Sequence, residues 1–107
     1  MIIKICGVEY KLIKEKVTDY ASAANGACCD YEKKIIWIDL NYYDCLGVLI
    51  HELSHAYDFE TGRGNSSLTM GDEQRAEYIR SFIKNLINLN GLDILERLDR
   101  FLQSDWK

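Results

Sequence analysis

Only two histidines occur in this chain, and they stand four residues apart in "LGVLIHELSHAYDFETG", Leu46 to Gly62, with a glutamate directly after the first. On an α-helix, positions four apart share a face, so His51 and His55 can present two imidazoles to one ion. Glu52 lies three positions before His55 and is therefore its neighbour, able to reach a water on the metal without being a ligand. Two neutral imidazoles suit Zn2+, and an unfilled coordination position lets the ion acidify that water toward neutrality. Glu52 then serves as general base, taking the proton and later delivering it to a leaving amine. Both histidines stand next to Leu49, Ile50, Leu53 and Ala56, which sets them close to the predicted buried face of the helix.

Two imidazoles do not complete such a site, because catalytic zinc usually takes three protein ligands. Downstream, "GDEQRAEYIRSFI" carries Glu73 and Glu77 one helical turn apart. Glu73 is read as the third ligand. Glu77 is read as its companion, accepting from the outer nitrogen of a ligand histidine, or as the alternative ligand. For the oxyanion of a tetrahedral intermediate, Tyr57 and the tyrosines at 20, 31, 42 and 43 are all candidates, with no spacing that selects among them. Asp58 has two equal readings, a support for a ligand histidine and a charge at a helix end.

The elements that must position these groups are read from periodicity. "IIKIC" and "VEYKLIKE" form a predicted β-hairpin about Gly7, and residues 17–25 are ambiguous between short helix and loop. "GACCDYEKKIIWIDL" reads as a second hairpin with "DYEKK" as its turn and Ile35–Leu40 as a strong strand. Asn41 and Asp44 are N-cap candidates for a helix over about Tyr42–Phe59. A glycine-rich loop, Thr61–Gly71, leads to a helix over about Asp72–Asn88. A last helix, about Leu92–Leu102, has Leu92, Leu95, Leu98 and Leu102 on one side. Trp37 and Trp106 are read as core or interface anchors. Strands first and helices afterwards predict a single α+β domain over residues 1–107, a small antiparallel or mixed twisted sheet packed on the histidine helix.

Composition bounds the rest. The 107 residues are 48% hydrophobic and 28% charged, as in a globular domain. A formal net charge of -4 without a Lys/Arg cluster argues against nucleic acid as a partner. No apolar run has the length of a membrane span, so no membrane partner is expected. The start "MIIKICGVEYK" has no secretory pattern, so the cytoplasm is the expected compartment and the four cysteines are expected to stay out of disulfides. They contain no C-x-x-C pair, which sets them aside as zinc ligands.

"HELSH", followed after a Gly-rich loop by "EQRAE", resembles the gluzincin metallopeptidases, above all the minimal single-domain minigluzincins and the ImmA/IrrE-type proteases. In that group a twisted sheet precedes the active-site helix, and the glutamate ligand sits on a following "glutamate helix", often as E-x-x-A-N. Glu73 and Ala76 match that pattern, while Glu77 stands where the Asn would be. The likeness spans roughly residues 26–85, and the absence of an H-x-x-G-x-x-H extension after His55 sets the chain apart from metzincins. The resemblance implies a zinc-dependent endopeptidase acting on a peptide or protein, with His51, His55 and Glu73 as ligands. It lacks the second subdomain that walls the cleft of larger gluzincins, which suits a narrow regulatory substrate or latency. The alternative is a non-catalytic regulatory or interaction protein that retains a structural zinc site. In these proteases the strand bordering the cleft is an edge. Ile35–Leu40, leading straight into the helix, is therefore expected to be an edge strand that faces the metal and receives an extended peptide. The loop Thr61–Gly71 is expected to close over a neighbouring pocket.

Overall fold

The computed structural model describes residues 1–15, 26–62 and 72–104, the side chains of Asp72 and Glu73 excepted. The segment 17–25 and residues 63–71 of the expected loop, as well as Trp106, therefore lie outside the described residues. Four strands precede three helices: β1 (Ile2–Ile5), β2 (Val8–Glu15), β3 (Ala27–Asp30), β4 (Ile35–Asp39), α1 (Cys45–Glu60), α2 (Asp72–Asn90) and α3 (Ile94–Gln103). The fold is α+β.

Both hairpins form where turn chemistry asks for them. Ile5 pairs with Val8, leaving Cys6 and Gly7 as a two-residue turn, both with positive φ, the backbone that matches the twist of paired strands. In the second hairpin, Asp30 Oδ1 accepts the backbone N–H of Glu32 and of Lys33, each at 3.0 Å, which closes the turn before β4.

The two hairpins join in an unexpected way. The sheet order is β1-β2-β4-β3, with β4 parallel to β2 and antiparallel to β3. The expectation that Ile35–Leu40 is an edge strand is therefore wrong, since Ile36 registers with Leu12 on one side and Cys29 on the other. The run of isoleucines in β4 suits a strand enclosed on both sides. The edge beside the histidine helix is β3.

One sheet face carries Ile3, Ile5, Tyr10, Leu12, Ile36 and Ile38 into the core, against Leu49, Leu53 and Ala56 of α1, Phe82 and Leu86 of α2, and Ile94 and Leu98 of α3. Strand alternation and helical three- and four-residue spacing produce these two complementary faces. Lys14 is buried among them. Its ammonium donates to the carbonyls of Phe101 and Ser104, satisfying the C-terminal end of α3, whose dipole favours a cation there. The leucine stripe of the last helix is only half right. Leu98 is fully buried, but Leu92 and Leu95 are exposed and Ile94 takes the inner position, because α3 begins at Ile94, after Gly91 (φ 101°) has ended α2.

Candidate metal centre

α1 starts later than the sequence suggested, at Cys45 rather than near Tyr42. Asp44 is the cap: its Oδ1 accepts the backbone N–H of Gly47 at 3.1 Å. Asn41 instead belongs to the turn after β4, donating its backbone N–H to Asp39 Oδ1 at 2.9 Å. Leu49, Leu53, Ala56 and Tyr57 face the core, whereas His51 is exposed and His55 half-buried. The histidines thus lie away from the buried face beside which the sequence reading set them.

The pair itself is brought together. His51 Nε2 and His55 Nε2 face each other at 2.9 Å, with ring planes at 80° and centroids 4.5 Å apart. Zn–N bonds of about 2.0–2.1 Å place two tetrahedral ligand nitrogens about 3.4 Å apart. Parting the rings by about half an ångström therefore turns this pair into a chelate, a motion within ordinary rotamer freedom. The two imidazole nitrogens face each other, as four-residue spacing on a helix predicts. Around them, Ser54 Oγ donates to the His51 carbonyl at 2.7 Å, and Tyr78 of α2 donates its hydroxyl to the Ser54 carbonyl at 2.9 Å. Tyr78 is buried and rings with Tyr57 and Phe82, so it fixes α2 against α1 beside the pair. Nothing in its spacing singled it out in the sequence.

The third ligand is less complete. Among the described residues no group of three or more His, Cys, Asp or Glu side chains is placed to hold a metal ion. Glu73 falls in the first turn of α2, but its side chain lies outside the described residues. Glu77 is exposed and ion-paired with Arg80 at 2.9 Å, and among the described residues no hydrogen bond joins it to either imidazole.

Beside the pair runs a cleft of about 650 Å³ between β3 and the first turns of α1. Cys28 and Cys29 form one wall, Val48, His51 and Glu52 the other, and Tyr42 and Tyr43 stand at its end. Glu52 is half-buried on this wall, near enough to act on its neighbours electrostatically. Burial, then the charge of Glu52, pushes the Cys29 thiol up to about 12. At neutral pH that thiol stays protonated, which removes it as a nucleophile. Burial also raises the Tyr31 phenol, with Cys29, Glu52 and Asp58 adding to the shift. The tyrosine candidates now separate: Tyr57 is core, Tyr42 and Tyr43 line the cleft, Tyr31 stacks on Phe59, and Tyr20 lies outside the described residues. None of the four cysteines is in a disulfide.

On its other side, His51 borders a second cavity of about 400 Å³ between α1, α2 and α3, walled by apolar groups including Ile50, Ile79, Ile83, Leu92 and Leu95. His51 is common to both. No helix among the described residues is long and apolar enough to cross a membrane. In comparisons with protein-family models, curated proteins and solved structures, no match to this chain is found.

Proposed function

We propose that this protein is a small zinc-dependent endopeptidase of the gluzincin type, with His51, His55 and Glu73 holding Zn2+ and Glu52 as general base. The observation that carries the reading is the facing pair of imidazole nitrogens at 2.9 Å, with Glu52 on the adjoining wall of a cleft. Bound zinc would acidify a water and polarise the scissile carbonyl. Glu52 would be the base that accepts a proton from the attacking water and the acid that returns it to the amine nitrogen of the broken C–N bond. Among the described residues β3 has no strand on its outer edge, so an extended peptide adds there through main-chain hydrogen bonds. The apolar cavity on the far side of His51 offers room for a bulky side chain, which gives selectivity that backbone pairing does not.

The exposed apolar residues of that cavity also favour the alternative, a non-catalytic interaction protein with a structural zinc site. One set of measurements separates the two. Zinc stoichiometry and cleavage of a proteome-derived peptide library are compared for the native chain and Glu52→Gln, together with circular dichroism after chelation. A peptidase binds one zinc per chain, keeps it in Glu52→Gln, and loses roughly 10²–10⁴-fold in rate there. Because His51 is exposed and outside the core, chelation leaves that peptidase folded. A structural site instead unfolds on chelation and shows no cleavage. No zinc uptake, or full activity of Glu52→Gln, ends the proposal.

A further inference from the structure

Asp58 is out of place for a mere helix-end charge. It is 3% exposed, and its Oδ1 is buried with no hydrogen-bond partner among the described residues. It also lies in the last turn of α1, where the helix dipole disfavours a carboxylate and no basic residue offsets it. Glu60, in the same turn, is paired with Lys34, whereas Asp58 has no ion pair among the described residues. A carboxylate that is buried, underbonded and wrongly placed for the dipole calls for a positive partner supplied at another stage of the protein's cycle.

His51, His55 and Asp58 occupy positions i, i+4 and i+7, one stripe of α1. Helical side chains tilt toward the N-terminus, so Asp58 leans back over the turn that bears His55. His55 turns Nε2 toward His51, which leaves Nδ1 as its outer nitrogen. We infer that Asp58 is the positioning residue of His55, its buried Oδ1 being the acceptor for the Nδ1–H when Nε2 holds an ion. This rests on the zinc reading above. A hydrogen on Nδ1 leaves the Nε2 lone pair outward, the tautomer a ligand needs. The cation drawn to Nε2 makes Nδ1–H a stronger donor, which meets the unfilled acceptor.

The test uses the full chain and two variants, Asp58→Asn and Asp58→Ala, with two readouts. Zinc affinity is measured by chelator competition, and thermal melting is followed in the zinc-free proteins. Asp58→Ala is expected to weaken zinc by roughly 10–100-fold. Asp58→Asn should fall between it and the native chain, since an amide oxygen still accepts. Zinc-free melting temperatures of both variants are expected to equal or exceed the native one, because a buried polar group with an unfilled acceptor among the described residues has been replaced. Should Asp58→Ala fail to fold, Asp58→Asn carries both readouts. Native-like zinc affinity in the variants, with the native chain taking up zinc, overturns the role of Asp58 alone. A joint fall of zinc affinity and zinc-free melting temperature also overturns it, by making the residue structural. No zinc uptake by the native chain withdraws the metal reading, and this inference with it.

Discussion

Replacing Glu60 by alanine should cost this fold about 2–3 kcal/mol, and the structure says where the loss falls. Glu60 Oε2 receives the Tyr10 hydroxyl and the Lys34 ammonium, each at 2.6 Å, tying the C-terminal turn of α1 to β2 and to the turn before β4. Tyr10 is fully buried, so its hydroxyl is left without an acceptor, a loss of about 1–3 kcal/mol. Lys34 keeps 30% exposure and stays over the Phe59 ring, so its lost ion pair adds only about 0–1 kcal/mol. For a domain near 100 residues, this corresponds to a fall in melting temperature of roughly 8–15 °C. Urea unfolding should show a lower midpoint with an unchanged slope. The decisive comparison is Tyr10→Phe in the Glu60→Ala background: removing the stranded hydroxyl should recover about half of the loss. A Glu60→Ala protein within about 0.5 kcal/mol of native, near the scatter of ordinary surface substitutions, refutes the reasoning, as does a double variant no better than the single one. The pH dependence has two arms. Burial acts to raise the Glu60 carboxyl, but hydrogen bonds from Lys34 and Tyr10 outweigh it and leave the group lowered. Its stabilisation is therefore present above the ordinary carboxyl value and lost as pH falls through the lowered one. Tyr10 is raised, first by burial and then by its bond to Glu60, so its contribution is complete below the ordinary phenol value of about 10 and declines as pH rises beyond it.

Two further outcomes concern the candidate site. Glu73→Ala is expected to abolish stoichiometric zinc, whereas Glu77→Ala, which removes only an exposed ion pair with Arg80, should leave it nearly unchanged; metal analysis of both variants decides, and the reverse order makes Glu77 the ligand. A peptide bound to Glu52→Gln should slow hydrogen exchange at amides of β3 (Ala27–Asp30) and not at those of β4; protection confined to β4 or absent from the sheet would remove the edge-strand docking.

The histidine helix was legible because its signal is local. Four-residue spacing on a confident helix brings two imidazoles together whatever the rest of the chain does, and they meet here at 2.9 Å. The hairpins were legible for the same reason, with Gly7 and Asp30 supplying turn chemistry within a few residues. What failed was non-local. β4 was set at the edge because it leads into the histidine helix, yet a parallel partner leaves no turn signal in the sequence. The pairing with β2 is marked only by the apolar run of Ile35, Ile36 and Ile38, which fits either position. The inward face of α1 was legible too, with Leu49, Leu53 and Ala56 buried as their spacing predicts, while His51, beside that face in the sequence reading, stands in the open. Tyr78 belongs to a third kind, a single residue whose place depends on a distant carbonyl that no spacing rule reports, while for Asp58 spacing left two readings open and only its burial separates them.

The exchange of edge strands changes what a substrate would meet. An edge formed by β4 would have offered Ile35 and Trp37 as neighbours, an apolar wall able to choose side chains. β3 instead brings Cys28 and Cys29 to the cleft, with Val48 and Glu52 opposite, so on the proposed reading the main chain of this edge would carry most of the recognition. Backbone pairing of that kind accepts many sequences. Selectivity would then fall to the other side of His51, where α1, α2 and α3 enclose apolar space and Leu92 and Leu95 stand exposed at its margin. On the proposed reading, the same departure of α3 from its expected leucine stripe that uncovers those side chains would supply the surface on which such a protease discriminates.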